Sequence, residues 1–280
     1  MASSIADERR LAAIAELAEA VAEEHCPSGR VEPETILQRN DITLSFGQYE
    51  DAFDGMLEYD GESFHVYANL QRLRSSDSGR ARFTLGHELG HFYIDDHRRA
   101  LQTQGLSRHP SYADHQSDNP LEIEADHFAC HLLMPTARFV KAAKGRKPGL
   151  ETILALNDTF GTSITSTAIR FTRLDLAPCT LVKWQGSDFA WKWFSKSTYA
   201  AGYRRTIEEP SSVPPDSPTG RALAGESPPS SGVFQAGTLA SSWYRGIVPG
   251  TPRDVVLIEQ AVSLGEFGVL TFLCPEQRHL

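Results

Sequence analysis

His87-Glu88-Leu89-Gly90-His91 constrains this chain more than any other stretch. Two histidines four residues apart on a helix project from one face and can reach a single metal ion. Glu88 stands about 100° around the same helix from His87, beside such an ion rather than on it, where a water-activating carboxylate is needed. H-E-x-x-H also occurs by chance in unrelated chains, so a working centre must find a third ligand elsewhere in the sequence.

The run from Asp118 to Pro135 is predicted to be a second helix. Asp118 or Asn119 is its N-cap, Pro120 occupies the first position, where a missing N–H costs nothing, and Pro135 stops it. Glu122 and Glu124 are both candidates for the third ligand. Glu122 shares one stripe with Asp126 and Ala129, whereas Glu124 lies about 200° around from it, which favours Glu122. Asp126 on that stripe can accept the second ring N–H of His87 or His91 and set its tautomer. Ala125 and Ala129 are small enough to let the two helices approach closely. His127 and His131 repeat the i, i+4 spacing but point off the stripe.

These two segments, H-E-x-G-H at 87–91 and Glu122-Ile123-Glu124-Ala125-Asp126-His127-Phe128-Ala129 with Leu132-Leu133-Met134-Pro135, together resemble the ImmA/IrrE family of zinc metallopeptidases. The resemblance to the peptidase domain spans roughly residues 1–148. Taken whole, the chain is most similar to the IrrE/PprI regulators of Deinococcus-type bacteria. It implies metal ligation by His87, His91 and Glu122, and Glu88 as catalytic acid/base. It further implies zinc-dependent cleavage of a partner repressor carrying a helix-turn-helix, in the response to radiation and DNA damage. Zinc is the expected ion and manganese the alternative, since His₂Glu sites accept several divalent metals.

The expected fold class is α+β, in three parts. A zincin-like metallopeptidase domain occupies 1–148, a small helix-turn-helix domain 149–178, and a GAF-like sensor domain, implied by the resemblance, 179–280. In the first part, Leu11, Ile14, Leu17 and Val21 mark an amphipathic helix from Ser3 to Cys26, and a short helix follows at Pro33–Arg39. Strands are predicted at Ile42–Phe46, Ala52–Tyr59 and Ser63–Asn69, with Asp60-Gly61 as a hairpin turn, giving a small antiparallel sheet. Ser63–Asn69 is the candidate edge for binding an extended substrate by strand addition, with a fully paired internal strand as the alternative. The H-E-x-x-H helix is placed at about Ser78–Asp96. The polar stretch 97–117, with His97, His109, Tyr112 and His115, is read as a loop over the site. It offers candidates for oxyanion stabilisation beside the commoner reading of solvated side chains.

Leu150 to Leu174 has the form of two helices turning at Gly161. Only Arg170 and Arg173 sit on the second helix, and residues 149–178 carry a net charge of −1, which disfavours direct operator binding. Thr180–Trp184, Phe189–Phe194, Ser241–Tyr244, Val255–Glu259 and Val269–Cys274 read as strands. The Ser-, Pro- and Gly-rich run 208–232 reads as a mobile insertion. Trp184, Trp191, Trp193 and Phe194 are candidates for a ligand pocket or for core, and a small-molecule or signal ligand is the corresponding expectation for this domain.

Residues 1–148 carry 24 acidic against 16 basic side chains, while residues 179–280 are neutral overall. An acidic first domain suits a basic protein partner and opposes non-specific affinity for nucleic acid. Cys26, Cys130, Cys179 and Cys274 show no C-x-x-C spacing. An apolar leader and a run of eighteen apolar residues are both missing, so a reduced, cytoplasmic protein is expected, neither secreted nor membrane-spanning.

Overall fold

The computed structural model describes residues 2–103, 108–111, 119–186 and 188–276, with the side chains of 2–6, 108 and 109 left aside. The chain divides into two compact units, Met1–Lys141 with Asn157–Ser163, and Ala142–Leu156 with Ile164–Leu280.

The first unit opens with α1 (Ala2–His25) and α2 (Pro33–Arg39), the latter started by Pro33 at its first position. Strands β1 (Thr43–Gly47), β2 (Gly55–Tyr59) and β3 (Phe64–Asn69) follow, then the short α3 (Leu70–Leu73). Next come α4 (Gly79–Tyr93), α5 (Asp95–Thr103), β4 (Arg108–Ser111), α6 (Pro120–Leu133) and α7 (Thr136–Ala143). The β2–β3 turn forms as expected. Asp60 Oδ1 accepts from the Glu62 and Ser63 amides, both at 2.8 Å, and Gly61 takes a φ of +105° that a side chain would resist.

The sheet runs β1-β3-β2-β4, and β1 pairs with β3 in parallel. Two expectations are corrected here. The sheet is mixed rather than antiparallel, and β3 is an internal strand, paired on both sides, so its backbone cannot take an added strand. The edges among the described residues are β1 and β4. Apolar side chains of α1, α2, the sheet, α4 and α6 fill one core that includes Ile14, Ile36, Leu57, Val66, Leu85, Leu89 and Phe128.

Helix α4 owes its start to Ser78, whose Oγ accepts from the Ala81 amide at 3.0 Å. Its first turn is pinned by Arg82, a buried side chain that donates from Nε to the Gly161 carbonyl at 2.9 Å and also reaches Glu32 and the Val31 carbonyl. Those carbonyl partners leave the guanidinium satisfied inside the fold.

Helices α8 (Leu150–Phe160) and α9 (Ile164–Arg173) lie where two helices were expected, with Gly161 at φ +61° between them. Arg170 of α9 is buried, and the Arg173 guanidinium lies 4.5 Å from the centre of the Trp193 ring. Arg170 is therefore committed to the interior, while exposed Arg173 makes a cation–π contact.

The second unit contains β5 (Thr180–Gln185), β6 (Asp188–Phe194), α10 (Lys196–Ala200), β7 (Tyr203–Thr206), α11 (Pro218–Leu223), β8 (Phe234–Leu239), α12 (Ala240–Trp243), β9 (Tyr244–Ile247), β10 (Val256–Ser263) and β11 (Val269–Pro275). Five strands form an antiparallel sheet ordered β6-β5-β11-β10-β8, and β7 with β9 makes a separate ribbon. The strand expected at Ser241–Tyr244 is instead the last turn of α12 leading into β9. The run 208–232 is not a uniformly loose insertion: Ser217 caps α11, and Pro218, Thr219 and Ala222 are buried.

A chain of buried hydrogen bonds ties α11 to the sheet. Trp184 Nε1 donates to Thr271 Oγ1 at 3.1 Å, and Thr271 and Thr219 share a bond of 2.8 Å. The Glu259 carboxylate then accepts from the Thr219 amide at 2.9 Å and from Trp243 Nε1 at 2.7 Å. Trp184 accordingly belongs to the core, with Trp243, Phe234 and Leu273 around it.

Buried Cys179 and Cys274 are free thiols whose pKa values burial raises to about 12 and about 11, so neither offers a reactive thiolate at neutral pH. Among the described residues no helix is long and apolar enough to cross a membrane.

Candidate metal centre

Helix α4 is buried along its whole face from Ala81 to His91 and packs on α6. The crossing is close because glycine sits where the helices touch. A methyl group on Gly86 would meet the Ala129 Cβ at 3.4 Å, and one on Gly90 would meet backbone atoms of Ala125 at 3.1 and 3.2 Å. Ala125 and Ala129 thus have the spacing role expected of them. Helix α6 begins at Asn119, whose side chain accepts from the Leu121 amide at 3.1 Å, with Pro120 at the first position. Asp118, the other cap candidate, lies outside the described residues.

This crossing brings His87, His91 and Glu122 together, with one ligand atom from each lying within 4.8 Å of the others. His87 Nε2 and His91 Nε2 are 3.0 Å apart. Glu122 Oε2 is 3.3 Å from His87 Nε2, and Glu122 Oε1 is 3.5 Å from His91 Nε2. An ion held tetrahedrally at about 2.0–2.1 Å from each ligand requires ligand–ligand edges of about 3.3 Å. The three residues therefore fit a zinc-type ion in both donor chemistry and spacing.

Each histidine has a partner on its remaining ring nitrogen. His87 Nδ1 donates to Asp126 Oδ1 at 2.8 Å. His91 Nδ1 faces His97 Nδ1 at 3.1 Å, and His97 Nε2 lies 3.1 Å from Glu124 Oε2. Glu124, the rival for the third ligand, thus belongs to His97 and to Arg10, which donates to its two oxygens at 3.2 and 3.0 Å. Burial disfavours a charge on His87, but the carboxylates of Asp126 and Glu122 and the nearby Glu88 outweigh it and raise the pKa to about 10 in the metal-free protein. A proton there supplies the positive charge that the surrounding carboxylates favour.

Glu88 is fully buried and lies against β2: a methyl group on Gly55 would fall 2.6 Å from Glu88 Oε1. Gly55 also pairs with Ser111, so edge strand β4 runs beside the strand that flanks Glu88.

Of the loop residues suggested for oxyanion stabilisation, Tyr112, His115 and the side chain of His109 lie outside the described residues. His97 does not belong to a loop. Ile94 leaves α4 in an extended conformation, α5 starts at Asp95, and its first turn carries His97 inward to a buried position. The acidic pair Asp95-Asp96, suited to a helix N-terminus, was the signal for this second start. The rings of His127 and His131 lie tilted against each other with centres 4.6 Å apart, and His131 bonds Glu19 at 2.8 Å, away from the cluster.

Residues 62–172 match the family model described as Peptidase_M78, IrrE N-terminal-like domain. A solved structure of a Mycobacterium tuberculosis transcriptional regulator is similar over 94% of this chain and 75% of that one, at 13% identity and a TM-score of 0.57, which speaks to the fold. No curated protein matches the chain in sequence. The matched segment includes His87, Glu88, His91 and Glu122, and it supports the ImmA/IrrE family for the domain that carries this cluster.

Proposed function

We propose that the chain is a zinc-dependent endopeptidase whose substrate is a regulatory protein, a transcriptional repressor with a helix-turn-helix. By the same reading it acts in a DNA-damage or radiation response, as the IrrE/PprI regulators do. The observation that carries the reading is the convergence of His87, His91 and Glu122 at tetrahedral spacing with Glu88 beside them on α4.

When bound, a divalent ion lowers the pKa of water and polarises a carbonyl oxygen. Glu88 is the residue to accept the proton of the attacking water and deliver it to the leaving amide nitrogen, so that the peptide bond ends as a carboxylate and an amine. Asp126 keeps the proton of His87 on Nδ1, which would leave Nε2 to hold a metal ion. Strand β4, an edge among the described residues, is the better candidate for pairing with an extended substrate, because its neighbour is β2, the strand against Glu88.

In this reading residues 1–148 form the peptidase domain, 149–178 the helix-turn-helix-like domain and 179–280 the GAF-like domain. The five-stranded antiparallel sheet with α11 packed on it supports the last. The burial of Arg170, which leaves Arg173 as the one exposed arginine of α9, favours a packing or docking role for that helix over contact with DNA.

Co-expression with candidate repressors tests the proposal. Wild type should cleave a repressor and Glu88→Gln should not, with both binding zinc. Repressor inactivation that persists in Glu88→Gln would instead assign the chain to regulators whose metal site is not proteolytic. Broad digestion of casein would point to a general protease.

A further inference from the structure

We propose that His97 is the positioning residue of the metal centre, holding His91 in its Nδ1–H form through a relay that ends on Glu124 and Arg10. The inference rests on reading His91 as a ligand through Nε2.

A neutral imidazole carries one proton, so a His91 that binds through Nε2 must keep its proton on Nδ1. That proton points at His97 Nδ1, 3.1 Å away, which must then be an acceptor. His97 in turn keeps its own proton on Nε2 and donates it to Glu124 Oε2 at 3.1 Å. The Glu124 carboxylate is held in place by two N–H donors of Arg10, from Nε to Oε1 and from Nη2 to Oε2. Only one assignment of protons satisfies all three links, and it leaves each ring in a single tautomer.

Burial makes the arrangement consequential. His91 and His97 are 2% and 3% exposed, so water cannot supply the missing partner if His97 is removed. The two histidine ligands are thus supported differently. His87 meets a carboxylate directly, whereas an imidazole is inserted between His91 and its carboxylate. Because Arg10 belongs to α1, the relay also connects the first helix of the chain to the metal centre.

The experiment measures Zn²⁺ affinity of the full chain by chelator competition, together with the visible spectrum of its Co²⁺ form. His97→Phe, which keeps the ring but removes the acceptor, should bind zinc about 10–100-fold more weakly and shift the Co²⁺ bands. His97→Gln, whose amide oxygen can accept the same proton, should recover most of the affinity. Glu124→Gln changes a side chain near the surface and should give a smaller loss, which keeps the relay testable if His97→Phe does not fold. Wild-type affinity and an unchanged Co²⁺ spectrum in both His97→Phe and Glu124→Gln would overturn the proposal. So would NMR of the zinc form showing the His97 proton on Nδ1. His87→Ala separates the two levels of the reading: unchanged zinc affinity there would remove the metal site itself. Lost affinity in His87→Ala with His97→Phe unaffected would remove only the relay.

Discussion

Gly90 of α4 and Ala125 of α6 meet backbone to backbone, so closely that a methyl group on Gly90 would lie 3.1 Å from the Ala125 Cα. Such a contact is tighter than packed helices normally sustain, and the added carbon meets main chain that cannot rotate away. Gly90→Ala is expected to destabilise the protein by about 1–3 kcal/mol and to weaken metal binding by moving Glu122 away from the histidines. Urea denaturation and a zinc titration check both, and unchanged zinc affinity would show that the crossing does not set the site.

Glu122→Gln and Glu88→Gln should separate binding from chemistry. Replacing Glu122 removes one of three ligands, and the zinc stoichiometry should fall well below one at micromolar metal. Replacing Glu88 should leave one zinc bound while substrate cleavage drops about 10²–10⁴-fold. Metal analysis of purified variants beside a cleavage assay reads both, and loss of zinc from Glu88→Gln would contradict the division of roles.

Gly55→Ala probes the other side of Glu88. Its methyl would strike the Glu88 carboxylate and the Thr84 methyl, both buried. Cleavage should fall by at least tenfold with zinc affinity within about threefold of wild type, because the displaced group is the base and not a ligand. An equal fall in both quantities would argue for general disruption.

Metal binding should depend steeply on pH. With its pKa raised from 6.5 to about 10, the His87 proton stabilises the metal-free fold fully below about pH 6.5. That contribution is lost as pH rises towards 10. An ion must displace this proton, so zinc affinity should rise with pH through the same window, about tenfold per unit where one proton is released. Calorimetry in buffers of different ionisation enthalpy should count about one proton per ion. A pH-independent affinity would rule out a protonated His87 in the metal-free state.

In the second unit, Glu259→Ala leaves the Thr219 amide and Trp243 Nε1 without their buried acceptor. A loss of about 2–4 kcal/mol and faster proteolytic nicking within 208–232 are expected, since α11 is tied to the sheet through that carboxylate. Nicking at the wild-type rate would mean that this segment is held by other contacts.

The parts of the site that were legible in sequence are those written in local signals. The i, i+4 histidines, the Asn119-Pro120 start and the stripe through Glu122 and Asp126 all act within one helix, and each stands where it was expected. His97 was misread because its role depends on Ile94 breaking the helix and on a partner six residues back in the chain. Parallel pairing of β1 with β3 leaves no turn signature, whereas the β2–β3 hairpin does. Helix α11 does carry a Ser217-Pro218 start, with Ser217 Oγ accepting from the Gly220 amide at 3.1 Å. That signal was masked by the proline- and serine-rich stretch around it.

Helix α6 presents three carboxylates within five residues, and each addresses the opposing histidines differently. Glu122 faces both His87 and His91, Glu124 faces His97, and Asp126 faces His87. The centre therefore works as a gauge of helix register. Sliding α6 by a single residue would turn each carboxylate about 100° away and undo every one of these pairings together. Insertions or deletions between Glu122 and Asp126 should accordingly be far less tolerated than substitutions, and the five residues should change, where they change at all, as one block.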